Sequence, residues 1–232
     1  MDDNKALEIV DKIFDNVFNC KNPFTLDEIL SKFAFDIKLP QEVRDTTTDE
    51  ITWAVSVNPT RFITQDNMAK RDAIDEWMLP KQPVNSLREI MEIWNKINYT
   101  TTERQYNSIN VAKSDTIYKS ENVYRSCDSN QCKNLIFCDS CHNCEFVLAS
   151  QRTGNSDFCI RVDDSSNCTN SYNVICSGNI SNSFFIQDSN TLHECFLCSH
   201  ISNKHYCIAN MQFEKEEYFE IKREITKWIL NS

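Results

Sequence analysis

Apolar positions along this chain follow two different rhythms. Between residues 4 and 19, Leu7, Val10, Ile13, Phe14, Val17 and Phe18 recur at helical spacing and share one face. Thr25-Leu26-Asp27-Glu28 has the layout of a capping box, in which Thr25 and Glu28 satisfy each other's backbone donors; the helix it opens is predicted to run to about Phe35. Residues 36–80 are less regular, with a short strand predicted over Thr52 to Val57 and a helix over Asp66 to Trp77. After the Pro80–Pro83 break, Ser86-Leu87-Arg88-Glu89 opens another helix, predicted to turn Leu87, Ile90, Met91, Trp94 and Ile97 inward.

From about residue 107 the rhythm changes. Short apolar runs begin at 123, 135, 146, 159, 174, 184, 196 and 206, which is 10 to 15 residues apart and about 12 on average. Ser, Asn and Asp fill the intervals, and these residues turn a chain by bonding their side chains to nearby backbone. Self-similarity at such a period is what stacked short strands produce, each coil being stable only against its neighbours. Cys132, Cys144 and Cys168 keep the same register, as do Cys195 and Cys207, so small apolar thiols are predicted to form an inward ladder. A last helix, Glu214 to Leu230, gathers Tyr218, Ile221, Ile225, Trp228 and Ile229 on one face. It is predicted to cap the C-terminal end of the coil stack, with the Ser86–Asn98 helix or its neighbours at the other end.

The expected fold class is therefore α+β. A mainly helical, acidic N-terminal domain (1–100) precedes a parallel β-solenoid (101–212), right-handed by the general preference of crossovers, and a C-terminal capping helix (213–232) follows.

The stretch from His193 reads His-Glu-Cys-Phe-Leu-Cys-Ser-His-Ile-Ser-Asn-Lys-His-Tyr-Cys-Ile-Ala-Asn-Met-Gln-Phe-Glu-Lys-Glu-Glu-Tyr. It resembles the C-terminal end of an uncharacterised group of Cys-, Asn- and Tyr-rich repeat proteins of small-genome bacteria. There a Cys-Phe-x-Cys repeat leads into Asn-Lys, Tyr-Cys-Ile and Lys-Glu-Glu-Tyr. The resemblance covers about the last 110 residues and implies a solenoid with a helical cap, but no activity. Many members carry a zinc ribbon ahead of the repeats; here Cys20 is the one cysteine before Cys127, so that part has no counterpart.

Composition narrows the chemistry. The only glycines are Gly154 and Gly178, so no phosphate-cradling loop, dinucleotide fingerprint or nucleophile elbow is spelled out. A net charge of −10 disfavours nucleic acid and anionic membranes as partners. Residues 1–95 carry 11 Lys/Arg against 18 Asp/Glu, whereas 107–212 carry 7 against 10. No apolar run is long enough to span a bilayer, and the first residues lack the layout of a secretory signal. A cytoplasmic protein with reduced thiols is the expectation, which makes the glycosylation-like triplets at Asn98, Asn167 and Asn179 accidents of composition.

Four constellations bear on chemistry. Cys138-x-x-Cys141-His142-x-Cys144, with Cys195-x-x-Cys198, has the spacing of thiolate metal sites, against which stands a plain reading as successive repeat positions. His142, His193, His200 and His205 could serve as bases or pair with a cysteine, but glycine-regular acyltransferase repeats are missing. Asp163-Asp164, with Asp157 and Asp188, could be paired carboxylates or a calcium site, and reads better as turn residues. The acidity could imitate DNA, but the solenoid's net of −3 is weak for that. Trp53, Trp77, Trp94 and Trp228 lie outside the repeats; most are expected to be core or cap residues, and any that is exposed marks a binding surface.

No catalytic, cofactor or metal residue is therefore assigned. The expectation is a non-enzymatic module: a rigid β-solenoid presents a surface to a protein partner with a basic surface, and the acidic N-terminal domain supplies specificity. An example is a phage-encoded inhibitor of a host nucleic-acid-binding or defence enzyme acting in the host cytoplasm. A structural virion or assembly component, and a thiolate metal protein, are the alternatives.

Overall fold

The computed structural model describes residues 1–57, 61–72 and 77–231. From residue 105 the chain is a parallel β-solenoid of about nine turns in which every ladder pairs residues 12 apart: Lys133 with Glu145, Cys159 with Ser171, Cys195 with Cys207. The period is thus a constant 12, and a shorter one is nested within it. Every third residue from Asn107 to Ala209 has a left-handed backbone, so the chain turns a corner every three residues and four such sides close one coil. Asn occupies many of these corners, as its tolerance of that conformation requires. Neither glycine does: both have ordinary negative φ. Tight turning here does not depend on glycine.

The residue after each corner points into the coil. From Ser114 to Cys198 every third residue is buried without exception. Many of them are Ser or Cys for a reason the backbone supplies. The N–H of an inward residue faces the lumen, where a missing acceptor would be costly. An inward serine one turn earlier provides that acceptor and gives its own proton to a carbonyl. Ser120 Oγ accepts the N–H of Cys132 (3.1 Å) and donates to the Tyr118 carbonyl (2.7 Å). Ser126 does the same between Cys138 and Tyr124.

One outward column is apolar: Tyr124, Ile136, Leu148, Ile160, Tyr172, Phe184, Phe196 and Ile208, in 12-residue register. Three helices cover it. α1 (Asp3–Phe18) is capped by Asp2 and buries Ala6, Ile9, Val10, Ile13, Phe14, Val17 and Phe18. Its 16 residues span about 24 Å, the height of about five stacked strands. It fits that height: Asp3 bonds Lys113 and the Tyr124 hydroxyl at one end, and Phe18 meets Tyr172 and Phe184 at the other. α2 (Leu26–Phe33) forms the expected capping box and packs Ile29 and Phe33 into the same core. Arg161 reaches from the solenoid to Asp36 and fixes the end of this helical layer.

α5 (Lys215–Asn231) is the expected C-terminal helix. It seals the last turns from the flank, with Tyr218 against Phe196 and Tyr206, and Lys222 bonding Glu194 and the Asn182 carbonyl. The last strand edge is met by Met211–Gln212, which folds back antiparallel onto Cys207 and Ile208.

At the other end, β1 (Gln41–Arg44) and β2 (Ile51–Ala54) form a hairpin, and β3 (Phe62–Thr64) pairs in parallel with β4 (Thr100–Thr102). Thr52 and Thr102 share a buried hydroxyl hydrogen bond of 2.7 Å. The buried Asp45 ties this piece together by accepting from the Thr47 and Thr64 N–H groups and from Asn67. Burial pushes its carboxyl up, but the donors from Thr47, Thr64 and Asn67 outweigh it and hold Asp45 below the ordinary carboxylate range. The side chain of Gln65, first residue of α3 (Gln65–Asp72), brackets the backbone of Gln105 with two hydrogen bonds and so closes the first coil. Of the predicted Asp66–Trp77 helix, residues up to Asp72 are helical, and 73–76 lie outside the described residues.

α4 (Leu87–Trp94) departs from expectation. Ser86 caps it as predicted. Its apolar face does not turn inward: Leu87 is 73% exposed, Ile90 48%, Met91 49% and Trp94 48%. The helical period is correct, but among the described residues no residue of the helix is buried.

Candidate functional site

The cysteine-rich segment resolves into geometry. Cys138, Cys141 and Cys144 are inward residues on three successive sides of the coil, because a C-x-x-C spacing equals one side. Cys132 bridges to Cys144, whose N–H lies 3.4 Å from its Sγ. Lining a closed lumen, these thiols bond to backbone carbonyls, as Cys138 does to Ile136 at 3.3 Å. Hydrogen bonds to Cys138 and Cys144, together with burial, push Cys141 well above the ordinary thiol range; burial alone does most of this for Cys159. Cys141 and Cys159 are thus protonated packing residues, whereas hydrogen bonds from Cys132 and Cys141 draw Cys144 below the ordinary thiol range. His142 stands in the outward column beside them, paired with Asn130 and Gly154 one turn either way, and turns away from the thiols.

The other histidines are also outward. His193 and His205 sit in register on one face, and Ser181 Oγ lies 2.9 Å from His193 Nδ1. His200 is exposed beside Asp188. Cys195, Cys198 and Cys207 point the other way, into the lumen. The coil therefore separates each histidine from the buried thiols, and a Cys–His nucleophile pair is not assembled from them.

The aspartates are accounted for locally. Asp163 and Asp164 both hold Arg152, at 2.5 and 2.6 Å, and Gln151 adds a bond to Asp163. Asp157 stacks on Glu145; burial and then that like charge raise its carboxyl above the usual range. Around Arg152 and Asp164 lies an open hollow of about 460 Å³ over Gly154, and a second of about 580 Å³ lies over Gly178. Both are broad, solvent-filled stretches of one flat face.

Among the described residues, one group could gather on a cation: Cys127, Asp128 and Asp139, whose ligand atoms lie within 4.8 Å of one another. Cys127 is an outward cysteine covered by the N-terminal layer. Its Sγ lies 3.2 Å from Asp139 Oδ1 and 3.3 Å from the Lys38 carbonyl, so a neutral thiol is already satisfied. Sequence reasoning missed this group because Asp139 becomes its neighbour only through the 12-residue register.

Of the tryptophans, Trp53 lies beneath Arg125 and Lys113, and Trp77 packs on Tyr99 and Arg71. Trp228 is exposed beside Phe185. Trp94 is exposed on α4 together with Leu87, Ile90 and Met91, and Met78 and Val84 just before the helix are exposed too. This is the most concentrated apolar surface in the sequence that the fold leaves bare.

These features define a β-solenoid with a flanking helical layer and, among the described residues, an amphipathic helix whose apolar face is exposed. Comparison with protein-family models, curated proteins and solved structures finds no match for the chain. Among the described residues no helix is long and apolar enough to cross a membrane.

Proposed function

We propose that this protein is a non-enzymatic binding module in which the solenoid is a rigid post and α4 presents an apolar face to a partner protein. The observation that carries this reading is the bare face of α4: Leu87, Ile90, Met91 and Trp94. An eight-residue helix is marginal by itself, and exposed apolar area costs about 25 cal/mol per Å² against burial. Apolar side chains gathered on one exposed helix face support an interaction site, with Trp as its anchor. The complementary surface is an apolar groove that accepts a short amphipathic helix. The net charge of −10 favours a basic rim around it.

The test is affinity purification from lysate of the source cells, comparing the full chain with a variant carrying Leu87→Ser, Ile90→Ser and Trp94→Ser. The expected result is one stoichiometric partner on the parent chain, lost from the variant while its circular dichroism and melting temperature stay unchanged. A variant that keeps the same partner, or a parent that captures none, refutes the reading. Assay of the captured protein with and without this chain then separates inhibition from assembly.

A further inference from the structure

A second surface differs in kind from α4. Where the chain leaves α2 and runs to β1, it arches over the solenoid and encloses a hollow of about 370 Å³. Its walls are apolar: Leu30, Ala34, Phe35, Ile37, Leu39 and Pro40. Its charged groups are both cations, Lys38 and Arg125, and no carboxylate lines it. Phe35 stands at the rim, 69% exposed, with the Arg161 guanidinium 4.6 Å from its ring centre.

Arg125 is the unusual member. It occupies a left-handed corner (φ 45°) directly after Tyr124, and its guanidinium lies over the Trp53 ring at 5.2 Å. Its Nε is buried and has no hydrogen-bond partner among the described residues. Five other arginines hold carboxylates: Arg44 with Asp49, Arg88 with Glu92, Arg104 with Asp115, Arg152 with Asp163 and Asp164, Arg161 with Asp36; Arg61 instead bonds the Tyr99 hydroxyl. In a protein with 34 acidic residues against 24 basic ones, a half-buried guanidinium without a carboxylate is a feature to explain. A guanidinium lining a largely apolar hollow can recognise a planar carboxylate. The walls give no glycine-lined backbone cradle of the kind a phosphate needs.

We propose that this hollow binds a small amphipathic monocarboxylate, its hydrocarbon body against Phe35, Ile37 and Leu39 and its carboxylate on the Arg125 guanidinium. The hydrocarbon supplies affinity by leaving water. The single negative charge supplies selectivity, because Lys38 and Arg125 are the charged groups of the lining and no carboxylate stands among them. The volume lies at the lower end of ordinary small-molecule sites, which favours a compact ligand.

The experiment titrates the full-length chain with sodium decanoate below its micelle concentration, following heat and the fluorescence of Trp53, and repeats the titration with decanol. Saturable binding of one decanoate per chain is expected, with decanol about tenfold weaker or more because it cannot use the charged hydrogen bonds. Arg125→Gln should remove most of that preference. Phe35→Ser, at an exposed rim, should weaken decanoate binding without lowering the melting temperature, which covers the case in which Arg125→Gln perturbs Trp53. Equal affinity for decanoate and decanol overturns the proposal, as does uptake without saturation or binding unaffected by both variants. Binding of a peptide ending in a free leucine carboxylate, with none of decanoate, also overturns it and assigns the hollow to a protein C-terminus.

Discussion

α1 and α4 are both capped amphipathic helices, yet they have opposite fates. α1 has seven buried residues against the solenoid, and α4 has none. Periodicity alone does not separate them, since each has a clean apolar stripe. What separates them is the surface on offer. The 12-residue register lines up Tyr124 through Ile208 as one apolar column, and α1, α2 and α5 cover it from Tyr124 onward. α4 follows the break at Pro80–Pro83 and leads into β4 at the first coil, where no second apolar column exists. An amphipathic stripe therefore does not by itself say that a helix packs against its own chain; the rest of the fold decides that.

The comparison can be broken most forcefully at α1. Phe14 is fully buried among Phe18, Phe24 and Phe33, so Phe14→Ala should cost about 3–5 kcal/mol in urea unfolding. Trp94→Ala on α4 should change stability by about 0.5 kcal/mol or less. Equal losses at the two sites would mean that α4 is packed after all.

Within the solenoid the same contrast holds between inward and outward positions. Ser120→Ala removes the acceptor for the Cys132 N–H and should cost about 1–3 kcal/mol, whereas Ser202→Ala on the outer face should be near neutral. At the corners, Asn155→Val places a β-branched residue at φ 48° and should cost about 1–2 kcal/mol, while Asn155→Gly should be tolerated.

Much of this architecture is legible in the sequence, and the exceptions are instructive. The helix starts at Thr25 and Ser86, the stacked coils and the inward register of Cys132, Cys144 and Cys168 follow from residue types and spacing. The apparent scatter of 10 to 15 residues arises because inward and outward apolar residues look alike in a sequence. Val174 belongs to a different side of the coil from Phe184, whose true predecessor in the ladder is Tyr172. The three-residue corner was hidden because glycine, the usual sign of left-handed backbone, is absent from it. Arg125 and the Cys127–Asp139 contact were invisible because they arise from register and from the N-terminal layer folding back over the coil.

Smaller effects sharpen the picture at the first coil. Because Asp45 has a depressed folded-state pKa, its contribution to stability is present above the ordinary carboxylate value of 3.8 and is lost as pH falls below it. Asp45→Asn should flatten the acid limb of a melting-temperature profile and leave its neutral limb lower. The least effect is expected from Cys176→Ser. Cys176 is the one exposed solenoid thiol, so it should react first with a thiol reagent while the inward cysteines stay protected until unfolding.

The most direct test of the contrast is hydrogen exchange followed by mass spectrometry on the dilute, monomeric full-length chain. The account predicts slow exchange through α1, near the limit set by global unfolding, and fast exchange through α4, whose turns are held by local hydrogen bonds alone. Protection of α4 as strong as that of α1 in the monomer would contradict it, because the face assigned to a partner would then be buried within the chain itself.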